Sequence, residues 1–175
     1  MDRTALRDHV LTHSVKRGDF TLKSGAKSSW FLDTKQTACR PDGIVLVADA
    51  ALEVIPADAT AIGGLTMGAD PIAFGIAAIA ATRGRALRSF SIRKEAKDHG
   101  VEGRIAGALQ AGDRVVITED TATRGVSALE AAAVVRAWGA ETGAIRSLRP
   151  APRRCRSARS STAAGSRTSR RRPRR

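Results

Sequence analysis

Four short apolar runs, TAIGG (60–64), ALRSFSIRK (86–94), RVVIT (114–118) and TGAIRSL (142–148), stand too far apart in the chain to be joined by tight turns. Two of the gaps have helical periodicity. Residues 68–82 place Ile72, Ile76 and Ile79 on one stripe, and residues 125–138 place Val126, Leu129 and Ala133 on one face. Antiparallel neighbours can be joined by two residues, whereas parallel ones need a crossover of a dozen or more, usually a helix. The spacing therefore predicts an α/β fold with a mostly parallel central sheet flanked by helices. The third gap, 95–109, is charged and carries three glycines, and reads as a loop or long hairpin. Upstream, Leu6 and Val10 mark a short amphipathic helix that Gly18 closes. Residues 20–33 form a hairpin turning at Ser24 and Gly25, and Pro41 opens a helix running to about Ile55.

Charge divides the chain into two parts. The total is +13, yet residues 1–145 hold 18 Lys and Arg against 17 Asp and Glu, while residues 146–175 hold 12 arginines and no acid. The second part has almost no large apolar residue and no periodicity. It cannot bury enough surface to offset its ordering entropy, so 149–175 reads as a disordered Arg-rich tail behind a domain spanning 1–148. Such a tail meets nucleic acid only non-specifically, through charge. No apolar run reaches membrane-span length, and the N-terminus has no apolar signal core, so no membrane partner is expected. Cys39 and Cys155 form no CxxC pair, which suits a reducing, cytoplasmic setting. His9 and His13 lie four apart on the first helix but lack a third ligand for a metal.

The stretch VVITEDTATRGVS (115–127) concentrates the chemistry. A buried strand ends in Glu119 and Asp120 and opens into a loop with hydroxyls at Thr121, Thr123 and Ser127 before a helix. Ligands of open parallel sheets sit beyond the carboxyl ends of the strands. Amides at a helix start cradle phosphate, and neighbouring carboxylates suit the vicinal hydroxyls of a ribose or a magnesium ion. Spacing alone equally allows an acidic strand end followed by a capped helix. A second element adds to the first: RKEAKDHG (93–100) gathers Arg93, Lys94, Lys97 and His99 after another strand whose carboxyl end should face Asp120. Cations closing over a phosphate site would neutralise a polyanionic leaving group and exclude water. No Walker A loop occurs.

Together these segments resemble the orotate phosphoribosyltransferases. FTLKSG (20–25), GGLTMGADPIA (63–73), RKEAKDHG and EDTATRGVS (119–127) occur in that family's order, over residues 18 to 145. The last is similar to the phosphoribosyl-diphosphate signature of type I phosphoribosyltransferases, and the Lys-and-His loop narrows the resemblance to the orotate branch. It implies a Rossmann-like type I phosphoribosyltransferase fold with an N-terminal hairpin region. It also implies transfer of ribose 5-phosphate from 5-phosphoribosyl 1-diphosphate (PRPP) to orotate, giving orotidine 5′-monophosphate and diphosphate. Mg²⁺ would ride on the diphosphate, with no metal ligand supplied directly by the protein. Glu119 and Asp120 would hold the ribose hydroxyls and favour an oxocarbenium-like transition state. Thr121, Ala122, Thr123, Arg124, Gly125, Val126 and Ser127 would hold the 5′-phosphate, with Thr123 also beside orotate. Phe31 and Leu32 would line the orotate ring, and Lys23 would lie near both substrates. Arg93, Lys97 and His99 would engage the diphosphate, with Lys97, His99 and Asp120 catalytic. Lys94 would reach into the partner's site of a homodimer with shared active sites.

The chain departs from the family pattern in places. Thr66 and Met67 stand where many members carry a diphosphate-gripping lysine, Leu32 replaces a second aromatic, and Arg124 replaces a small loop residue. After Leu148 the arginine-rich sequence stands where members carry an Asp-Arg pair whose arginine grips the orotate carboxylate. The acids stop at Glu141 and the tail arginines come without a lysine, the composition expected of a reading-frame change near codons 140–148, with a natural basic tail as the alternative. Two other classes compete with this reading. A purine or uracil phosphoribosyltransferase explains 119–127 but not 93–100, and a base panel separates it. A nucleic-acid-binding regulator would use the tail, and a salt-dependent gel shift lost on deleting 146–175 would favour it.

Overall fold

The computed structural model describes residues 3–22, 25–97, 103–122 and 124–147, with Lys97 and 144–147 as backbone only. Helix α1 (Arg3–His13) leads into a two-stranded antiparallel hairpin, β1 (Val15–Thr21) and β2 (Lys27–Leu32). Two helices follow, α2 (Lys35–Ala38) and α3 (Pro41–Leu52). Then β3 (Ala61–Leu65), α4 (Asp70–Thr82), β4 (Arg88–Lys97), β5 (Gly103–Gly107), β6 (Arg114–Glu119), α5 (Val126–Ala137) and β7 (Glu141–Ser147) build a five-stranded sheet of order β5-β4-β3-β6-β7. β3, β4, β6 and β7 are parallel, and β5 returns antiparallel to β4. This is the expected α/β architecture with its N-terminal hairpin.

Period-2 alternation distributes the core to both faces of the sheet. Ile62 and Val116 point to the α3/α4 side, where they meet Val47, Ile72, Ile76 and Ala80. Ala61, Val115 and Ile117 point to the α5 side with Phe90, Ile92 and Val135. All of β3 is buried, as expected of a central strand covered on both faces. The glycine pair in it has a steric cause. A side-chain carbon at Gly63 would stand 2.7 Å from the Phe90 ring, and one at Gly64 would stand 2.7 Å from the Ala69 Cβ and press on the Thr118 carbonyl.

Several expectations need correction. Gly18 does not close the first helix. That helix stops at His13, the buried Ser14 turns the chain, and Gly18 lies inside β1, where the register with β2 shifts and its φ is +152°. A glycine takes that backbone conformation at a bulge without the penalty a side chain would carry. Helix α3 ends at Leu52 rather than Ile55, although Ile55 still packs into the core. Helix α4 starts at Asp70, because the preceding loop is held by Thr66 Oγ1 donating to Asp70 Oδ2 at 2.7 Å. β4 runs on to Lys97 and pairs with β5, so the 95–109 segment takes the hairpin alternative. The face expected to be apolar on α5 is reversed. Val126 and Leu129 are exposed, and Ala128, Ala131, Ala132 and Val135 are buried. Through these small residues the helix packs closely on β3, β6 and β7.

His9 is a packing residue. Its Nδ1 lies 3.2 Å from Thr37 Oγ1 and its Nε2 lies 3.3 Å from Asp42 Oδ2. Among the described residues no three or more His, Cys, Asp or Glu side chains gather as for a metal, and no helix is long and apolar enough to cross a membrane. The tail expected at 149–175 lies outside the described residues.

Candidate functional site at the carboxyl ends of the strands

The register sets the site. Ala61 pairs Val115 and Gly63 pairs Ile117, so β3 and β6 end at the same level. β4 pairs Leu65 with Ile92 and then overhangs β3 by five residues, and the Thr66 N–H donates to the Ile92 carbonyl at 2.9 Å. The carboxyl ends carrying Thr66–Gly68, Arg93–Lys97 and Glu119–Asp120 therefore share one edge, as the sequence predicts. Arg93 is half-buried and donates to the Gly103 carbonyl, while Lys94 is exposed. His99 and the other residues of the hairpin tip lie outside the described residues, as do Lys23 and Thr123.

The two acids differ sharply in their environments. Asp120 is held at both oxygens. Lys35 Nζ donates to its Oδ2 at 3.1 Å, Thr34 Oγ1 donates to the same oxygen at 3.2 Å, and the Thr121 N–H donates to Oδ1 at 2.7 Å. Glu119 is half-buried, and its Oε2 is buried without a hydrogen-bond partner among the described residues. Burial, and then the charge of Asp120, push its carboxyl up to about 7, against the opposing pull of Lys35. The hydrogen bond to Asp120 raises Lys35 in turn. A buried carboxyl oxygen without a partner is costly unless something binds there, and perturbed acids in such positions mark functional sites.

Behind the acids, Gly125 caps α5 in the left-handed conformation, φ +73°, with no side-chain cap on the first-turn amides. Such a helix start suits an anion. Thr121 and Ala122 are half-buried, while Arg124, Val126 and Ser127 are exposed. β2 places Phe31 against Phe20 at 5.7 Å between ring centres, and Leu32 leads within three residues to Lys35. Sequence reasoning missed three contributors, Thr34, Lys35 and Gly68. A side-chain carbon at Gly68 would stand 2.8 Å from Asp120 Oδ1. No local signal reveals the first two, because they lie 86 and 85 residues from Asp120. For Gly68 the run of glycines after β3 was a usable hint.

No protein-family model matches the chain. Among curated proteins it is 39% identical over 137 residues to an orotate phosphoribosyltransferase of Rhodopirellula baltica, covering 74% of this chain and 71% of that one. Among solved structures it is similar to the orotate phosphoribosyltransferase of Mycobacterium tuberculosis in complex with Fe(III) dicitrate. The TM-score is 0.73 and the identity 34%, over 84% of this chain and 83% of that one. The same enzyme in complex with PRPP matches at a TM-score of 0.68 and 32% identity, over 84% and 82%.

Proposed function

The chain belongs to the orotate phosphoribosyltransferase family, and on that premise we propose that it transfers the ribose 5-phosphate of PRPP to orotate, releasing diphosphate. The observation that carries the reading is the Glu119–Asp120 pair. One acid is held by three donors, and the other has a buried oxygen without a partner among the described residues, at the strand end that faces a glycine-capped helix. Two fixed acceptors side by side suit vicinal hydroxyls, and a negative wall favours positive charge developing at the ribosyl carbon. The first-turn amides of α5, with Thr121, Ala122, Thr123, Arg124, Gly125, Val126 and Ser127, would take the 5′-phosphate. In this reading Arg93, Lys97 and His99 serve the diphosphate, Lys23 the ribosyl donor, and Phe31, Leu32 and Thr123 the base. Lys94 serves the partner's site in a homodimer.

Mg²⁺ prefers oxygen ligands and is commonly bound with substrate phosphates. The oxygen-bearing groups of Asp120 and Thr121 at this edge are compatible with such an ion riding on the diphosphate, with no ligand supplied directly by the protein. The ion would be carried mainly by the diphosphate and would supply charge neutralisation on the leaving group. The protein's own share is orientation, acceptor groups for the sugar and cations over the phosphates.

The test is a base panel. The purified chain is incubated with PRPP, Mg²⁺ and orotate, uracil, adenine or hypoxanthine, and nucleotides are identified by mass spectrometry. Orotidine 5′-monophosphate is the expected product, formed with a raised KM for orotate because arginine-rich sequence replaces the family's Asp-Arg segment. Preferential conversion of another base refutes the reading.

A further inference from the structure

We infer that Lys35 is a positioning residue of the ribosyl-donor site, whose ammonium orients Asp120 for the sugar hydroxyls. The inference rests on the reading of this edge as a PRPP site, and it adds a residue that lies in none of the four motifs 20–25, 63–73, 93–100 and 119–127.

Local structure holds Lys35 in place more firmly than an ordinary surface lysine. It opens α2, directly after β2, and the chain there is anchored on both sides. The Asp33 N–H donates to the Ser14 carbonyl at 2.8 Å. Thr34, Thr37 and Ala38 are buried, and Thr37 Oγ1 lies 2.7 Å from the buried Ser14 Oγ. The backbone that carries the ammonium is thus fixed to α1 and the hairpin, and only the side chain spans to the strand end.

Hydrogen-bond capacity then assigns the remaining acceptors. A carboxylate oxygen accepts about two bonds. Asp120 Oδ2 takes two, from Lys35 and Thr34. Oδ1 takes one short bond from the Thr121 amide and a long one, 3.4 Å, from its hydroxyl. Glu119 Oε2 takes none from the described residues. The long contact from the Thr121 hydroxyl is the one a sugar hydroxyl can displace, and Lys35 aims Oδ1 for it by holding the opposite oxygen.

Charge gives Lys35 its second role. Adjacent half-buried carboxylates resist joint ionisation. Burial and Asp120 both raise Glu119, and Lys35 is the cation that opposes them. Asp33 and Cys39 act on Lys35 itself, raising it further, so its charge persists well above neutral pH. Asp70, at the start of α4, is engaged by Thr66, and Arg124 of the phosphate loop is exposed. Lys35 is thus the cation set against the two negative charges as well as the donor that holds Asp120 Oδ2.

The experiment is calorimetric titration of the full chain with PRPP at fixed Mg²⁺ and pH 8. Lys35→Ala and Lys35→Gln are expected to bind about tenfold more weakly, while Lys35→Arg, which keeps a donor on Asp120 Oδ2, restores the affinity. Equal affinity in Lys35→Ala, or a loss that Lys35→Arg does not recover, overturns the inference and leaves the PRPP site standing. A wild-type chain that does not bind PRPP overturns the PRPP reading and this inference with it.

Discussion

Replacing Asp120 by Asn separates the role of its charge from the role of its shape. The amide is nearly isosteric, and its oxygen can still accept the Thr121 N–H that now reaches Oδ1 at 2.7 Å. The amide nitrogen then faces Lys35 and Thr34 and cannot accept from either. Thr34 can reverse its hydroxyl and accept instead. Lys35 can return to water, since its side chain is 41% exposed, and an ion pair of that exposure contributes about 0–1 kcal/mol. Removing the charge beside Glu119 also relieves the repulsion that raises that group. The net cost to folding is therefore at most about 1 kcal/mol, a shift of roughly 2–4 °C in Tm for a body of this size. Donor binding loses a charged acceptor, and hydrogen bonds to charged groups are worth about 1.5–3 kcal/mol. PRPP affinity should fall by about one to two orders of magnitude. Thermal unfolding by circular dichroism and PRPP calorimetry measure the two quantities on one preparation. Wild-type affinity would mean that Asp120 serves only to begin the loop, and a Tm loss of about 10 °C or more would mean that the pair is structural.

The remaining predictions follow from other parts of the chain. Glu119 is raised in the folded state above its unfolded value, so its ionisation costs stability as pH climbs from about 4.5 to about 7; Glu119→Gln should raise Tm at pH 8, change it little at pH 4.5, and abolish tight PRPP binding. Equal Tm shifts at both pH values would show that burial does not raise the group. Lys97→Ala, in a chain with a restored C-terminus, should lose about 2.7–4 kcal/mol of transition-state stabilisation, read as a fall in kcat with PRPP affinity largely kept; unchanged turnover removes Lys97 from the chemistry. Gly64→Ala should destabilise by about 1–3 kcal/mol through overpacking, because its new carbon meets Ala69 and the Thr118 carbonyl, and a chemical-denaturation midpoint equal to the wild type's would contradict that. The sheet accepts the chain through Ser147, so a frame change should fall at or after that codon; if neither alternative frame encodes an apolar strand followed by Asp-Arg, the arginine-rich segment belongs to the protein.

Local patterning carried the architecture. Period-2 apolar runs, their separation by helix-length segments and the acid-then-hydroxyl run after RVVIT were enough to place β3, β4, β6, β7 and the edge on which Glu119 and Asp120 sit. Each of those depends on residues close together in the chain. The failures share the opposite property. Gly18 has the composition of a helix stop, yet it serves a bulge whose need is set by the pairing of β1 with β2. On α5 the choice between two faces was decided by its packing on β3, β6 and β7, which no periodicity within the helix encodes. The partners of Asp120 come from a turn 85 and 86 residues earlier, brought near by the hairpin, α1 and α2 packing together. The sequence by itself determined which strands form and which residue types end them. Only the tertiary structure decided which acid is held by donors and which has a buried oxygen without a partner among the described residues, because that depends on which distant donors the packing delivers.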